Sequence, residues 1–292
     1  MTNISEMKKL INEAFPELSI REFALLEKGK ASNVYLVNNE IVFKVPLQSE
    51  GEIARWQRNE AVILDFLEGK LEIEIPKILY TTTSENGLFI IGETLLSGRT
   101  LSYDLYDSYD EETRADILRQ LGKIVRSLHE IKDEDLSWII EGGEETLAET
   151  VVEFEQRFSA ETQSAFLPEE VDKIKEIVER YKKISVQYPV KSVLCHGDLH
   201  FYNLMFDEES KQITGLLDFG CVGYSEPARD WHYYFDMKHV LEGYGDNGDK
   251  YFLERQKFHA LSWLLNNLGE EIEEKKTPYK SLAFIRDYIL AD

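Results

Sequence analysis

The segment that most limits how this chain can fold runs from Leu194 to Gly220. It reads Leu194-Cys-His196-Gly-Asp198-Leu-His-Phe-Tyr-Asn203-Leu-Met-Phe206, then Ile213-Thr-Gly-Leu-Leu-Asp218-Phe-Gly220. Asp198 and Asn203 share a loop closed by an apolar strand, and Asp218 follows directly after another apolar strand. Strands of this kind must be buried, so the chain has to bring three oxygen-bearing side chains to the ends of packed strands. Alone, an Asp and an Asn five positions apart arise often by chance, Asp-Phe-Gly makes a good turn, and a single His196 is most simply a buried histidine with a satisfied ring. The joint pattern is more specific. Phosphoryl transfer needs one carboxylate to accept a hydroxyl proton and oxygen ligands to hold Mg²⁺ on phosphates. Asp198 fits the first role; Asn203 and Asp218 are hard oxygen donors that fit the second.

The rest of the chain is expected to build two lobes around that segment. Residues 4–14 have a helical period. Apolar stretches at 20–27, 34–37 and 41–45, broken by Gly29–Asn33 and Asn38-Asn39-Glu40, predict an antiparallel meander. A helix over 52–67 and strands near 75–82 and 88–95 follow, which predicts a five-stranded antiparallel sheet with one helix inserted after its third strand. Beyond Gly98 helical patterns dominate, at 111–130, 144–158, 168–184, 229–242, 251–268 and 279–290. The fold class expected is α+β: a nucleotide-binding N-lobe at 1–97, and at 98–292 a mainly helical C-lobe with the catalytic loop and an enlarged acceptor-binding region.

The N-lobe offers partners for phosphates. Lys44 stands inside the third strand, in Ile41-Val-Phe-Lys44-Val-Pro46, and Glu60 follows on the next helix, where it can hold the ammonium in place. The turn Lys28-Gly29-Lys30-Ala31-Ser32-Asn33 has one glycine rather than G-x-G-x-x-G, but Ser32 lies in a small-residue turn able to present backbone N–H groups to phosphates. A plain hairpin turn would look much the same.

Composition narrows the partners. With 55 Asp and Glu against 33 Lys and Arg the formal net charge is −22, which repels nucleic-acid backbones and attracts cationic ligands. Cys195 and Cys221 have neither CxxC nor Cys/His spacing, which argues against structural zinc or a disulfide framework. The N-terminal stretch has no signal-peptide core and no apolar run reaches membrane-spanning length, so a cytoplasmic protein without membrane partners is expected; no nucleic-acid partner and a monomer are expected as well.

These motifs together resemble the aminoglycoside phosphotransferase family, and within it the 2″-phosphotransferases. The likeness covers nearly the whole chain. It is carried by F-K-V-P at 43–46, the helix with Glu60, H-G-D-L-H-x-x-N at 196–203 and L-L-D-F-G at 216–220. It implies a protein-kinase-like fold with Asp198 as base, Asn203 and Asp218 as Mg²⁺ ligands, and Lys44 with Glu60 as the phosphate-binding pair. The resemblance also implies a hinge at 93–98 where the backbone of Thr94 and Leu96 meets a purine, ATP and GTP remaining open, and His196 and Asp230 supporting the loop. The implied function is Mg-dependent transfer of a γ-phosphoryl group to a small cationic molecule, an aminoglycoside first, with antibiotic resistance as its purpose. Candidate acceptor contacts are Asp236, Trp231 and Glu270, then Glu242, Asp246, Asp249, Glu271, Tyr234 and Trp263. Two departures bear on the acceptor: Cys221 stands after Asp-Phe-Gly where the 2″-enzymes often have Asp, and Asn203 stands where macrolide phosphotransferases commonly have His. The alternatives are a kinase of a macrolide or a sugar or amine metabolite, and a non-catalytic nucleotide-binding module. The single-glycine turn and the missing Ala-Pro-Glu segment argue against a protein kinase.

Overall fold

The computed structural model describes residues 4–131, 145–232, 235–277 and 279–291. They form two compact units. The first contains the described residues up to Thr113 together with His200–Val222, and the second contains residues 114–131, 145–199 and those from Gly223 on.

The first unit opens with α1 (Ile4–Ala14), followed by β1 (Phe23–Lys28), β2 (Ser32–Val37), β3 (Ile41–Pro46), α2 (Gly51–Leu67), β4 (Ile78–Thr83) and β5 (Phe89–Thr94). The antiparallel sheet has the order β1-β2-β3-β5-β4. Asn38 and Asn39 both take positive φ, 55° and 56°, at the centre of a tight turn that the Glu40 N–H closes by donating to the Val37 carbonyl at 3.1 Å. The Asn38 side chain fixes that turn by accepting from the N–H groups of Arg21 and Glu22.

Strand alternation decides what each face carries. Tyr35, Val37, Ile41, Phe43, Val45 and Ile90 pack with Ile11, Phe15 and Leu18 of the α1 segment into one core. Full burial of a side chain such as Phe43 contributes about 1.5–3 kcal/mol. Gly92 belongs to the same face: a Cβ there would stand 2.7 Å from the Phe43 ring. Lys44 is paired with Ile91, and Val42 with Glu93, so Lys44 and Glu93 share the opposite face. There α2 buries Ala54, Gln57, Glu60, Ile63, Leu64 and Leu67, an i, i+3, i+4 stripe in which two members are polar.

Next come β6 (Arg99–Thr100), α3 (Tyr103–Asp107) and α4 (Glu111–His129). The second unit continues with α5 (Leu147–Arg157), α6 (Ala160–Gln163), α7 (Pro168–Gln187) and β7 (Val193–Cys195). In the first unit β8 (Leu204–Asp207) and β9 (Gln212–Leu216) join β6 in a small sheet of order β6-β8-β9. The second unit resumes with β10 (Gly223–Ser225), which pairs with β7, then α8 (Met237–Tyr244), α9 (Phe252–Glu273) and α10 (Lys280–Phe284).

Phe154 of α5, Tyr181 of α7 and Phe258, Leu261 and Leu265 of α9 form the second unit's core. The Tyr181 and Phe258 rings stack with centroids 3.7 Å apart. Within that unit α4 and α8 meet at Gly122 and Gly243, where an added Cβ would overlap the carbonyl oxygens of Val240 and Arg119 respectively.

Three expected helices differ from what forms. Residues 229–242 split into a 3₁₀ turn, Pro227–Asp230, and α8, because Asp236 caps α8 by accepting from the Lys238 N–H at 3.0 Å. The helix expected to close at 268 runs on to Glu273, and the last one changes at Ile285 to a π-helical turn, Ile285–Ile289. The expected start of α5 at Glu144 lies outside the described residues; Thr146 forms a capping box with Glu149.

Candidate active site

In the first unit the face shared by β3, β5 and α2 gathers an unusual density of buried charge. Lys44 Nζ donates to Glu60 Oε1 at 2.6 Å and stands 3.5 Å from Glu93 Oε1. The same Glu60 oxygen accepts from the backbone N–H of Phe219 at 3.2 Å. One carboxylate therefore ties the β3 lysine to the Asp-Phe-Gly turn. That turn packs closely on α2, with a Cβ on Gly220 only 3.3 Å from Trp56 Cβ. Asp218 takes a left-handed backbone, φ 65° and ψ 71°, which costs a non-glycine residue about 1–3 kcal/mol. Strain of that kind persists where its surroundings fix a side chain's direction.

The electrostatics follow from burial and proximity. Burial pulls the Lys44 ammonium down, but Glu60, Glu93 and Asp218 together outweigh it and raise its pKa, so Lys44 stays charged. Burial raises Glu60, partly against the pull of Lys44, and Asp218 adds to the rise. For Glu93, burial lifts the carboxyl, Lys44 lowers it and Glu60 and Asp218 lift it again, leaving it at about 8.

Position is enforced by neutral groups too. The Ser32 hydroxyl donates to Gln57 Oε1 at 3.0 Å, and Gln57 Nε2 donates to the Lys44 carbonyl at 2.8 Å. Ser32 thus clamps β2 and β3 to α2 through its side chain, while its carbonyl accepts from Gly29 N–H at 3.0 Å. Gly29 is required there, since a Cβ would stand 2.6 Å from that carbonyl oxygen. At the expected hinge the Thr94 N–H donates to the Lys77 carbonyl and the Leu95 N–H to that of Glu40, both at 3.0 Å, so the Thr94 amide is spent inside the sheet. Leu96 follows directly, and its side chain is half-buried. Asn203 ends a 3₁₀ turn, is 7% exposed, and its carbonyl accepts from Leu217 N–H at 2.9 Å, which locks the turn to the strand leading into Asp218.

In the second unit β7 runs into His196-Gly197-Asp198. The fully buried Asp230 accepts from His196 N–H through one oxygen and Gly197 N–H through the other, each at 2.8 Å. Its first-named oxygen also meets His129 Nε2 at 2.9 Å, while His129 Nδ1 meets the Tyr244 hydroxyl at 2.7 Å. Burial would raise Asp230, but the hydrogen bond and charge of His129, then His196 and the Gly197 amide, outweigh it and hold the carboxyl at about 2. Gly197 has φ 80°, a left-handed turn that aims the chain into Asp198, whose N–H faces His196 Nδ1 at 3.4 Å. His196 is itself fully buried. His129, Cys195 and Asp230 place potential ligand atoms within 4.8 Å of one another, yet His129 and Asp230 are committed to each other, and burial raises the Cys195 thiol well above its usual range. That trio braces a loop.

Chemically, the first unit presents a fixed ammonium beside Glu60 and Glu93, with Asp218 near enough to raise its pKa and Asn203 on the turn tied to the strand before Asp218, hard oxygens suited to a polyphosphate and a divalent cation. The second holds a carboxylate-bearing loop rigidly from behind. The sequence model of the phosphotransferase enzyme family matches residues 22–256.

The chain belongs to the phosphotransferase enzyme family.

Solved structures agree on the fold of this phosphotransferase. The GDP complex of aminoglycoside 2′-phosphotransferase-IIIa superposes with a TM-score of 0.85 at 18% identity, covering 99% of each chain. The gentamicin complex of APH(2″)-IIa gives 0.73 at 20% identity over 98% of this chain and 97% of that one. Macrolide 2′-phosphotransferase MphH from Brachybacterium faecium gives 0.67 at 17% identity over 97% and 96%. At such identities the likeness establishes the protein-kinase-like fold expected from the sequence. A curated relative, altered inheritance of mitochondria protein 9 of Candida dubliniensis, is 29% identical over 108 residues, 32% of this chain but only 17% of that protein.

The phosphotransferase's expected acceptor contacts fare unevenly. Trp231 is corrected: it is 0% exposed, with its ring edge-on to Phe235 and Tyr244, and has no face to offer a sugar. Asp236 is spent as the α8 cap, although its side chain is 59% exposed. Glu242 pairs with Arg119 and His239, Asp249 with Arg255, and Glu271 accepts from Ser281 N–H. Asp246 accepts from Gly248 N–H, and Trp263 packs on His232. Glu270 is half-buried on α9, and Tyr234 lies outside the described residues. Sequence reasoning missed His129, Tyr244, Gln57 and Glu93. His129 was visible as a polar residue on the buried stripe of α4; Glu93 left only the sign of an acid in an otherwise apolar strand, with nothing to say which face it shares. No described helix is long and apolar enough to cross a membrane.

Proposed function

We propose that the enzyme transfers the γ-phosphoryl group of ATP or GTP, with Mg²⁺, to a hydroxyl of a small cationic molecule, an aminoglycoside above all. The observation that carries this is the single Glu60 oxygen shared by Lys44 and the Phe219 N–H, because it joins the phosphate-binding lysine to the turn that bears Asp218. In this reading residues 1–97 serve the nucleotide, and 98–292 bring the catalytic loop and the acceptor site. Ser32 supports the phosphate turn, and at the hinge the purine meets the Leu96 backbone, the Thr94 N–H being already given to Lys77.

The donor set suits Mg²⁺: a buried Asn203 and an Asp218 whose left-handed backbone fixes its direction would supply oxygen ligands, the kind this ion prefers. When bound, the ion would neutralise charge on the phosphates. Lys44 orients the polyphosphate and offsets its charge. Asp198 orients the acceptor hydroxyl and accepts its proton as the O–P bond forms and the bond to the leaving nucleotide breaks. His196 and Asp230 hold the loop from which Asp198 projects. The net charge of −22 supports a cationic acceptor, and the neighbours bound to kanamycin and gentamicin support an aminoglycoside; resistance would then be the biological outcome. A macrolide is the second reading, supported by the macrolide phosphotransferase neighbours.

Paired substitutions test the roles. Asp198→Ala is expected to lower kcat by about 10²–10⁴-fold with nucleotide affinity nearly unchanged, whereas Asp218→Ala is expected to weaken Mg-nucleotide binding. Normal turnover in Asp198→Ala would sink the mechanism.

A further inference from the structure

Lys44 has a second acid that the proposed phosphotransfer leaves unused. Glu93 is 3% exposed, stands on the β5 position that shares a sheet face with Lys44, and approaches its ammonium at 3.5 Å through Oε1. Its other oxygen, Oε2, is buried without a hydrogen-bond partner among the described residues. The charged groups that face Glu93 are Lys44 from β3, Glu60 from α2 and Asp218 from the turn after β9. Two buried carboxylates therefore compete for one ammonium, and Glu60 holds the shorter contact, 2.6 Å against 3.5 Å. A buried carboxylate with an unpaired oxygen is costly as an anion unless a cation stays beside it.

We propose that Glu93 is a positioning residue for Lys44, an acid whose ionised form steadies the ammonium in the empty site and takes up a solvent proton when a nucleotide's phosphates draw the ammonium away. The proposal rests on the reading that Lys44 receives those phosphates. The proton balance is simple: the carboxylate becomes a carboxylic acid, no other bond changes, and one uncompensated buried negative charge is avoided. The Glu93 carboxyl starts at about 8, so about half of it is ionised at that pH, where the exchange can be read. The sign is fixed: binding that raises an acid's pKa takes up protons, so affinity is highest at low pH and falls as pH rises, by at most about tenfold per pH unit for one group.

The test is calorimetric titration of the intact protein with Mg-ADP and Mg-GDP near pH 8, in two buffers of different ionisation enthalpy, with dissociation constants followed from about pH 7 to 9. The wild-type protein is expected to take up a fraction of a proton per nucleotide and to bind severalfold more weakly at the alkaline end. In Glu93→Gln, which keeps the shape and removes the titration, both effects should vanish. Equal proton uptake in Glu93→Gln, or none in the wild type, overturns the proposal. Should Glu93→Gln not fold, absence of uptake in the wild type still overturns it, and Glu93→Asp, with shorter reach, should shift the uptake. Failure of both nucleotides to bind would overturn the nucleotide reading together with this one, whereas binding without proton exchange overturns this one alone.

Discussion

Asp230 shows how one buried side chain can organise a loop. Its two oxygens accept from two successive backbone N–H groups and from His129, so replacing it with Asn would set an amide N–H₂ against donors. The fall from an ordinary carboxyl to about 2 corresponds to about 2–3 kcal/mol. Because the folded value is depressed, that stability is fully present above pH 4 or so and is lost as pH falls towards 2. Asp230→Asn should therefore unfold at lower urea concentration at neutral pH, with the gap to wild type closing near pH 2–3; an unchanged gap would contradict the assignment. At this scale the sequence was informative where chemistry dictates residue type. Lys44, Glu60, Asp198, Asn203 and Asp218 are all legible as oxygen and nitrogen groups in a fixed order along apolar strands. Glu93 was not, because its meaning lies in the register that pairs β5 with β3, and Trp231 misled because an aromatic in a polar stretch reads equally as a sugar platform or a core residue.

Elements were legible in proportion to the periodicity of their burial. The β2–β3 hairpin and α2 stand where the pattern predicts, since Asn-Asn at the turn and an apolar stripe on the helix are local signals. The stretch 229–242 defeated pattern reading. Its polar residues serve a buried loop brace and a helix cap rather than a solvent face, so hydrophobic periodicity ran across a break that only tertiary partners impose. The crossing of α4 and α8 was equally hidden, because nothing in a sequence says which two glycines will meet. Gly243→Ala should force backbone apart at the Arg119 carbonyl and cost roughly 2 kcal/mol or more, visible as a Tm lowered by several degrees. A Tm equal to wild type would show that the two helices have room to part.

For the whole molecule, charge is the property that reaches furthest. A formal net charge of −22 on 292 residues would draw the proposed cationic acceptor in solution, within a screening length of about 10 Å at 0.1 M salt. The kcat/KM for an aminoglycoside should therefore fall severalfold as salt rises from about 0.05 to 0.5 M, with kcat little changed, whereas a neutral acceptor would show no such slope. Fold class was readable from the order of strand and helix patterns; the acceptor was not, because its candidate carboxylates are mostly engaged as caps and ion pairs. The most direct measurement is mass spectrometry of kanamycin- and gentamicin-type aminoglycosides, a macrolide and small amino-alcohol metabolites, each incubated with the enzyme, Mg²⁺ and ATP or GTP. The account predicts that an aminoglycoside gains a single phosphate in the presence of the enzyme and none with Asp198→Ala. Phosphate gained by a macrolide or a metabolite instead would discard the aminoglycoside, and no product from any acceptor under conditions where nucleotide binds would contradict the account at its centre.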